Sequence, residues 1–198
     1  YDGRTFLEIK LDDARRVATA LEARVPVLIM SSFATHEALL GALPDSQPSL
    51  PIEVFPQEVS LRVTPEGALH RDAAGALSPY ATGHGDLPEA LKASGLLERF
   101  VERGGKVVCI ANIDNLGATV DPAIVGAHLD HGGPLTVELV DKVGSDRGGG
   151  PVRWNGRPII TEEFRLPVGF DPSTVPVFNT NTFLAGARAL LDLRMDWT

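Results

Sequence analysis

Between Thr5 and Arg24 the apolar residues Phe6, Leu7, Ile9, Val17 and Leu21 recur at mixed three- and four-residue spacing. That period predicts a helix with Thr5 as N-cap and Pro26 beyond its end. Val27–Met30 is a short unbroken apolar run, the pattern of a strand buried on both faces. Polar Ser31 and Ser32 close the strand, and Thr35 stands where it could cap a helix from His36 to Leu43, with Pro44 past its end. The stretch from Ser46 to Tyr80 is rich in Pro and Gly and holds strand candidates at Ile52–Phe55 and Leu61–Val63, read as excursions over a sheet edge. Leu87–Arg103 reads as helical and Gly104-Gly105 as its stop. Lys106–Ala111 is the clearest strand. Asp121-Pro122 supplies a cap and a first-turn proline for a helix to about His131, and Leu135–Val140 is another strand. Asn155-Gly156 between two extended runs predicts a hairpin. Val175–Phe178 is expected to be the last strand and Phe183–Leu191 the last helix, with no internal repeat along the way.

Strands alternating with helices predict an α/β fold, in which ligands bind beyond the carboxyl ends of strands. Three polar clusters, Ser31-Ser32, Asn112-Ile113-Asp114-Asn115 and Asn179-Thr180-Asn181, each follow an apolar strand run and are expected to line one crevice.

Composition narrows the field. A chain of 198 residues with 43% hydrophobic content can form a fair-sized core, with a prior of one domain, two at the outside. Its formal net charge of -8 predicts no nucleic-acid partner, so any phosphate must be held by backbone N–H groups, a few placed cations or a metal ion. Cys109 is the single cysteine, which excludes an internal disulfide, and its apolar strand setting predicts inert buried core in a reducing, cytoplasmic compartment. No apolar run approaches the roughly 18 residues of a membrane span.

In an extended segment Asn112 and Asp114 share a face, because side chains alternate with a period of two. An amide and a carboxylate so placed could hold a sugar hydroxyl and an Mg²⁺ ion, although an Asx turn is the more economical reading of the spacing alone. In Thr82-Gly83-His84-Gly85-Asp86 the two glycines allow close backbone approach to a flat ligand beside the His84 imidazole, while Asp86 is expected to cap the next helix. Asn179 and Asn181 offer paired amides suited to a sugar, or else a turn at a strand end. Two other features are set aside. His128 and His131 lack further ligands for a metal and read as a solvated helix end, and Gly148-Gly149-Gly150 lacks a P-loop's Gly-Lys-Ser/Thr ending and reads as a flexible approach to the hairpin.

In chain order these stretches resemble the UTP-glucose-1-phosphate uridylyltransferase family. The matching residues are Val25–Glu37, Phe55-Pro56-Gln57, Gly83-His84-Gly85-Asp86, Asn112–Asp121 and Phe178-Asn179-Thr180-Asn181, and the likeness runs from about Asp2 to Leu190. The resemblance implies a Rossmann-like, GT-A-like mixed sheet flanked by helices. It also implies that an oxygen of glucose 1-phosphate attacks the α-phosphorus of UTP, with Mg²⁺ as cofactor, to give UDP-glucose and pyrophosphate. By similarity Gln57 and the Gly83 backbone would recognise uracil with Met30 nearby, and His84 would meet the sugar phosphate. Asn112, Glu162 (or its neighbour Glu163), Asn179 and Asn181 would bind the sugar, and Asp114 would face the phosphates and the metal.

The family's glycine-rich Leu-Asn-Gly-Gly-Leu-Gly loop and its lysines have no counterpart in residues 1–198, nor does its C-terminal β-helix-like domain. The chain is therefore expected to be the central part of a catalytic domain, without turnover on its own. Tyr80-Ala81-Thr82 also stands where the family usually has prolines. Two alternatives remain open at this level: a uridylyltransferase for another sugar, such as N-acetylglucosamine 1-phosphate, and a non-catalytic sugar-nucleotide binding module.

Overall fold

Thr5 and Glu8 cap the first helix, α1 (Phe6–Ala20), reciprocally. The Thr5 N–H and hydroxyl donate to Glu8 Oε2 at 2.7 and 2.9 Å, and the Glu8 N–H donates to Thr5 Oγ1 at 3.2 Å. The computed structural model describes residues 3–44, 48–144 and 146–195; Asp2, where the family likeness begins, and Ser46, where the Pro- and Gly-rich stretch opens, lie outside them. The chain divides into two compact units, Leu11–Lys106 with Ala187–Thr198, and Tyr1–Lys10 with Val107–Gly186.

In the first unit, β1 (Val27–Ser31) and β2 (Ile52–Pro56) pair in parallel, flanked in sequence by α2 (His36–Ala42). Thr35 sits at the N-cap position of α2 but makes no cap bond, because its hydroxyl accepts the Ser32 N–H at 3.1 Å and bonds the Ser32 hydroxyl. Then β3 (Val59–Leu61) and β4 (Pro79–Ala81) close an antiparallel ribbon two residues earlier than the pattern indicates. Between them the backbone repeats one turn twice. Thr64 N–H bonds Ala68 O and Gly67 N–H bonds Thr64 O; eight positions on, Asp72 N–H bonds Ala76 O and Gly75 N–H bonds Asp72 O. Gly67 and Gly75 take φ of 84° and 81° to make these turns. The expectation of no internal repeat therefore fails here, because only the Gly-Ala-Leu of each turn is shared.

The helical stretch after Asp86 is two helices, α3 (Leu87–Ala93) and α4 (Leu96–Glu102), broken at Gly95 with φ 70°. Leu91, Leu96 and Leu97 are buried there, with Leu50 and Phe55 from the sheet side.

The second unit is built on β5 (Val107–Ile110), α5 (Pro122–His131), β6 (Leu135–Asp141), the hairpin β7 (Gly150–Trp154) and β8 (Arg157–Thr161), and β9 (Val177–Gly186). Asp121 caps α5 as expected, accepting the Ala123 N–H at 2.7 Å, and Asn155 and Gly156 turn the hairpin with φ of 48° and 79°. The largest departure from expectation is β9. Residues 183–186, expected to be helical, form its second half, because β9 is a central strand paired antiparallel to β5 on one side and β6 on the other. Two ladders outweigh local helix propensity. Only Ala187–Asp192 is helical; this is α6, which belongs to the first unit and packs against α3 and α4.

Two further expectations are corrected. Cys109 is exposed rather than buried, although desolvation still raises its thiol pKa. His128 is 3% exposed, not solvated. His131 Nδ1 accepts the Gly133 N–H at 2.8 Å, so its proton sits on Nε2 and is donated to Thr136 Oγ1 at 2.7 Å; that hydroxyl then donates to His128 Nδ1 at 2.8 Å. Thr136→Val leaves a buried imidazole nitrogen unpartnered and is expected to destabilise the fold by about 1–3 kcal/mol, read as a lower urea midpoint that Thr136→Ser restores. Among the described residues no helix is long and apolar enough to cross a membrane.

The capping pair makes a pH prediction. The backbone bond from Thr5, then its hydroxyl, hold the Glu8 carboxyl below its usual pKa. A depressed folded-state pKa adds stability above the ordinary glutamate range that is lost as pH falls through the folded value. The stability advantage of the parent chain over Glu8→Gln, measured by urea melts, is expected at neutral pH and should shrink on acidification.

Candidate functional site

In the first unit the end of β2 and the loop after β4 meet. Gln57 follows Pro56, and its N–H donates to the Ser31 carbonyl at 2.8 Å. Its side-chain Oε1 accepts the Gly83 N–H at 2.5 Å. That bond assigns Oε1 to the Gly83 side of the amide and Nε2, with its two donor hydrogens, to the other. Gly83 has φ 90° and ψ -173°, a conformation that side chains rarely take, and its carbonyl accepts the Asp86 N–H at 3.1 Å. His84 follows on the first position of a short 3₁₀ turn, exposed. Met30 is half-buried on β1 opposite Phe55. Gln57 and Gly83, both assigned to uracil by the family resemblance, are thus in contact.

Neighbouring groups are committed to structure. Ser31 is buried, its hydroxyl bonded to His36 Nδ1 at 2.7 Å and within reach of the Phe55 carbonyl at 3.3 Å, so it lines no crevice. Asp86 does not cap α3. It takes helical φ and ψ and makes no cap bond; its Oδ2 instead accepts the Glu58 N–H at 2.7 Å and the Thr82 hydroxyl at 2.9 Å.

In the second unit the loop after β5 carries Asn112 and Asp114. The segment is turned, not extended: Asn115 N–H bonds Asn112 O and Ala118 N–H bonds Asn115 O, two consecutive turns. Side-chain alternation therefore does not govern how Asn112 and Asp114 point, and the turns are closed by backbone carbonyls rather than by the side chain of an Asx turn. Both residues are exposed. Two anchors that the sequence did not reveal hold the loop. The Asn115 amide donates to the Thr180 carbonyl at 3.3 Å and Thr182 Oγ1 at 3.2 Å, and the Lys10 ammonium donates to the Ala118 carbonyl.

Asn179 and Asn181 lie within β9, not after it. A register shift in the β6 pairing between Val137 and Leu139, with Asn181 at φ 59°, folds the two amides together. Asn179 Oδ1 accepts the Asn181 N–H at 3.0 Å and Asn179 Nδ2 donates to Asn181 Oδ1 at 3.1 Å. Glu162 joins them through Gly149. An ideal Cβ on Gly149 would lie 2.9 Å from Glu162 Oε1, and the Gly149 carbonyl accepts the Asn179 N–H at 2.7 Å. Glu163 is occupied by Lys142 at 3.2 Å, leaving Glu162 as the exposed carboxylate of the pair. Gly148-Gly149-Gly150 is correspondingly a close-packed seam: a Cβ on Gly148 would meet the Phe178 ring at 3.0 Å and one on Gly150 would meet Val175 Cγ1 at 2.7 Å. The triple glycine was the visible signal, but nothing in the sequence named what presses against it.

Among the described residues no three His, Cys, Asp or Glu side chains form a metal cluster. The exposed Asp114 carboxylate is nonetheless the kind of single protein ligand that Mg²⁺ takes when phosphates and water supply the remaining oxygens.

The family model described as UTP--glucose-1-phosphate uridylyltransferase matches residues 1–189. A UTP--glucose-1-phosphate uridylyltransferase from Astragalus penduliflorus is 30% identical over 199 residues, covering 96% of this chain and 42% of the relative. A candidate UDP-N-acetylglucosamine pyrophosphorylase from Entamoeba histolytica superposes with a TM-score of 0.81 at 19% identity, over 98% of this chain and 54% of its own. A UDP-glucose pyrophosphorylase mutant from Leishmania major, solved with UDP-glucose, gives 0.77 at 24% identity, over 96% and 45%. The mixed α/β fold is shared with these nucleotidyltransferases, and the chain spans less than half the length of the plant relative.

Proposed function

The chain belongs to the UTP-glucose-1-phosphate uridylyltransferase family, and from that premise we propose that it is the central part of the catalytic domain of an enzyme forming UDP-glucose and pyrophosphate from UTP and glucose 1-phosphate. The observation that carries this reading is the family match across residues 1–189, which takes in every candidate residue. The proposed architecture is a Rossmann-like, GT-A-like nucleotidyltransferase sheet.

Gln57 donates from Nε2 to a carbonyl of uracil, beside Gly83, with Met30 packing near the base. The turn of its amide, with Oε1 on the Gly83 N–H, supports this role. His84 donates to the sugar phosphate. Asn112, Glu162, Asn179 and Asn181 bind sugar hydroxyls, and the mutual bonds of the two asparagines leave Asn181 Nδ2 and the second hydrogen of Asn179 Nδ2 as donors. Asp114 would hold Mg²⁺, which would neutralise phosphate charge when bound. The protein's share of an in-line displacement is to hold two anions in register, which is worth several orders of magnitude in rate without covalent participation.

A panel of sugar 1-phosphates with UTP, followed by pyrophosphate release from the full-length protein, tests the proposal. Glucose 1-phosphate is expected to give the highest kcat/KM. A preference for N-acetylglucosamine 1-phosphate, the substrate type suggested by the name of the Entamoeba histolytica protein, would move the assignment to that sugar. UDP-glucose binding without release from any of them would identify a non-catalytic module.

A further inference from the structure

We propose that Asp86 is a positioning residue for base recognition, its buried carboxylate tying together the two backbone segments that carry Gln57 and Gly83; this rests on the reading that those two residues meet the uracil. Asp86 is 8% exposed, and a nearly buried carboxylate is stable only with hydrogen-bonding partners. Its partners are specific in place. Oδ2 takes the N–H of Glu58, the residue after Gln57, at 2.7 Å, and the hydroxyl of Thr82, the residue before Gly83, at 2.9 Å. The Thr82 hydroxyl also lies 3.1 Å from the Glu58 carbonyl, which closes the bridge.

The bridge is needed because of what lies between the two segments. Gln57 and Gly83 are separated in sequence by the doubled turn of residues 62–78, and the ribbon closing it is only three residues on each side. So short a ribbon is weak by itself. With the Asp86 oxygen in place, Gly83 is held where its N–H meets Gln57 Oε1 at 2.5 Å, and that bond sets which way the Gln57 amide is turned. Without it, Gly83 can retreat and the Gln57 amide is free to turn over, presenting an acceptor where a donor is required.

The test compares Asp86→Ala with Asp86→Asn, whose amide oxygen can accept both bonds. In the full-length protein Asp86→Ala is expected to raise the KM for UTP about tenfold or more, the scale of one lost charge-assisted hydrogen bond, with the KM for glucose 1-phosphate unchanged. Asp86→Asn restores the UTP value. In parallel, the Gly83 amide proton should lose its exchange protection in Asp86→Ala and keep it in Asp86→Asn. An equal rise in both KM values, or a protected Gly83 amide with unchanged KM for UTP, overturns the proposal. Should Asp86→Ala fail to fold, Thr82→Val removes one arm of the bridge alone; a smaller rise in the KM for UTP supports the proposal and none overturns it. If the parent protein does not use UTP, the functional reading fails, and Gly83 exchange still reports whether Asp86 makes the bridge.

Discussion

Asp114→Ala in the full-length protein is expected to lower kcat by about a hundredfold or more, the usual effect of removing one charge-stabilising group from a transition state, and to flatten the dependence of rate on Mg²⁺. The argument begins with the loop. Two consecutive turns, anchored by Asn115 on β9 and by Lys10 at Ala118, fix the backbone around Asp114 without using its carboxylate. The residue is exposed at the end of β5, where an α/β fold places its ligands. Removing the carboxylate should therefore leave the loop and the stability of the chain intact while activity falls. Steady-state rates across an Mg²⁺ titration check this. A variant with near-normal rate and unchanged Mg²⁺ response would take Asp114 out of the mechanism.

The second large effect is expected at a residue with no side chain. Gly149→Ala places a Cβ 2.9 Å from Glu162 Oε1 and 3.3 Å from the Thr161 carbonyl. The carboxylate is the flexible end of a side chain and gives way first, so the fold survives and Glu162 is displaced. Because the Gly149 carbonyl also holds the Asn179 N–H, the asparagine pair is disturbed by the same change. A displacement of about 1 Å in a positioning group costs up to about a hundredfold, and kcat/KM for glucose 1-phosphate should fall by about ten- to a hundredfold with the KM for UTP little altered. Separate titrations of the two substrates distinguish this from general damage. An unaltered response to the sugar phosphate would show that Glu162 and Asn179 are not its ligands.

Much of this was legible in the chain. Period and capping residues located α1, β1, β2, α5, β6 and the Asn155-Gly156 hairpin, because each is specified by residues within its own span. What was misread depends on distant partners. Residues 183–186 look helical in isolation and become the second half of β9 only because β5 and β6 are available to pair with them. Asp86 looks like a helix cap, yet Glu58 and Thr82, one of them across the doubled turn, take its carboxylate instead. The pairing of the Asn179 and Asn181 amides was legible in their spacing, but the bulge at which they bond each other was not. Lys10 and Asn115 carried no local signal of their roles, and the triple glycine did not name its partners, since each acts on a backbone group or side chain distant in sequence.

Hydrogen–deuterium exchange of the full-length protein with and without saturating UDP-glucose tests most directly that the candidate residues of each unit serve a nucleotide-sugar ligand. Slowed exchange is predicted at the Gly83 amide, in the 112–118 loop and across residues 178–182. Saturable binding that leaves all three segments unchanged, or protects other segments instead, would contradict it.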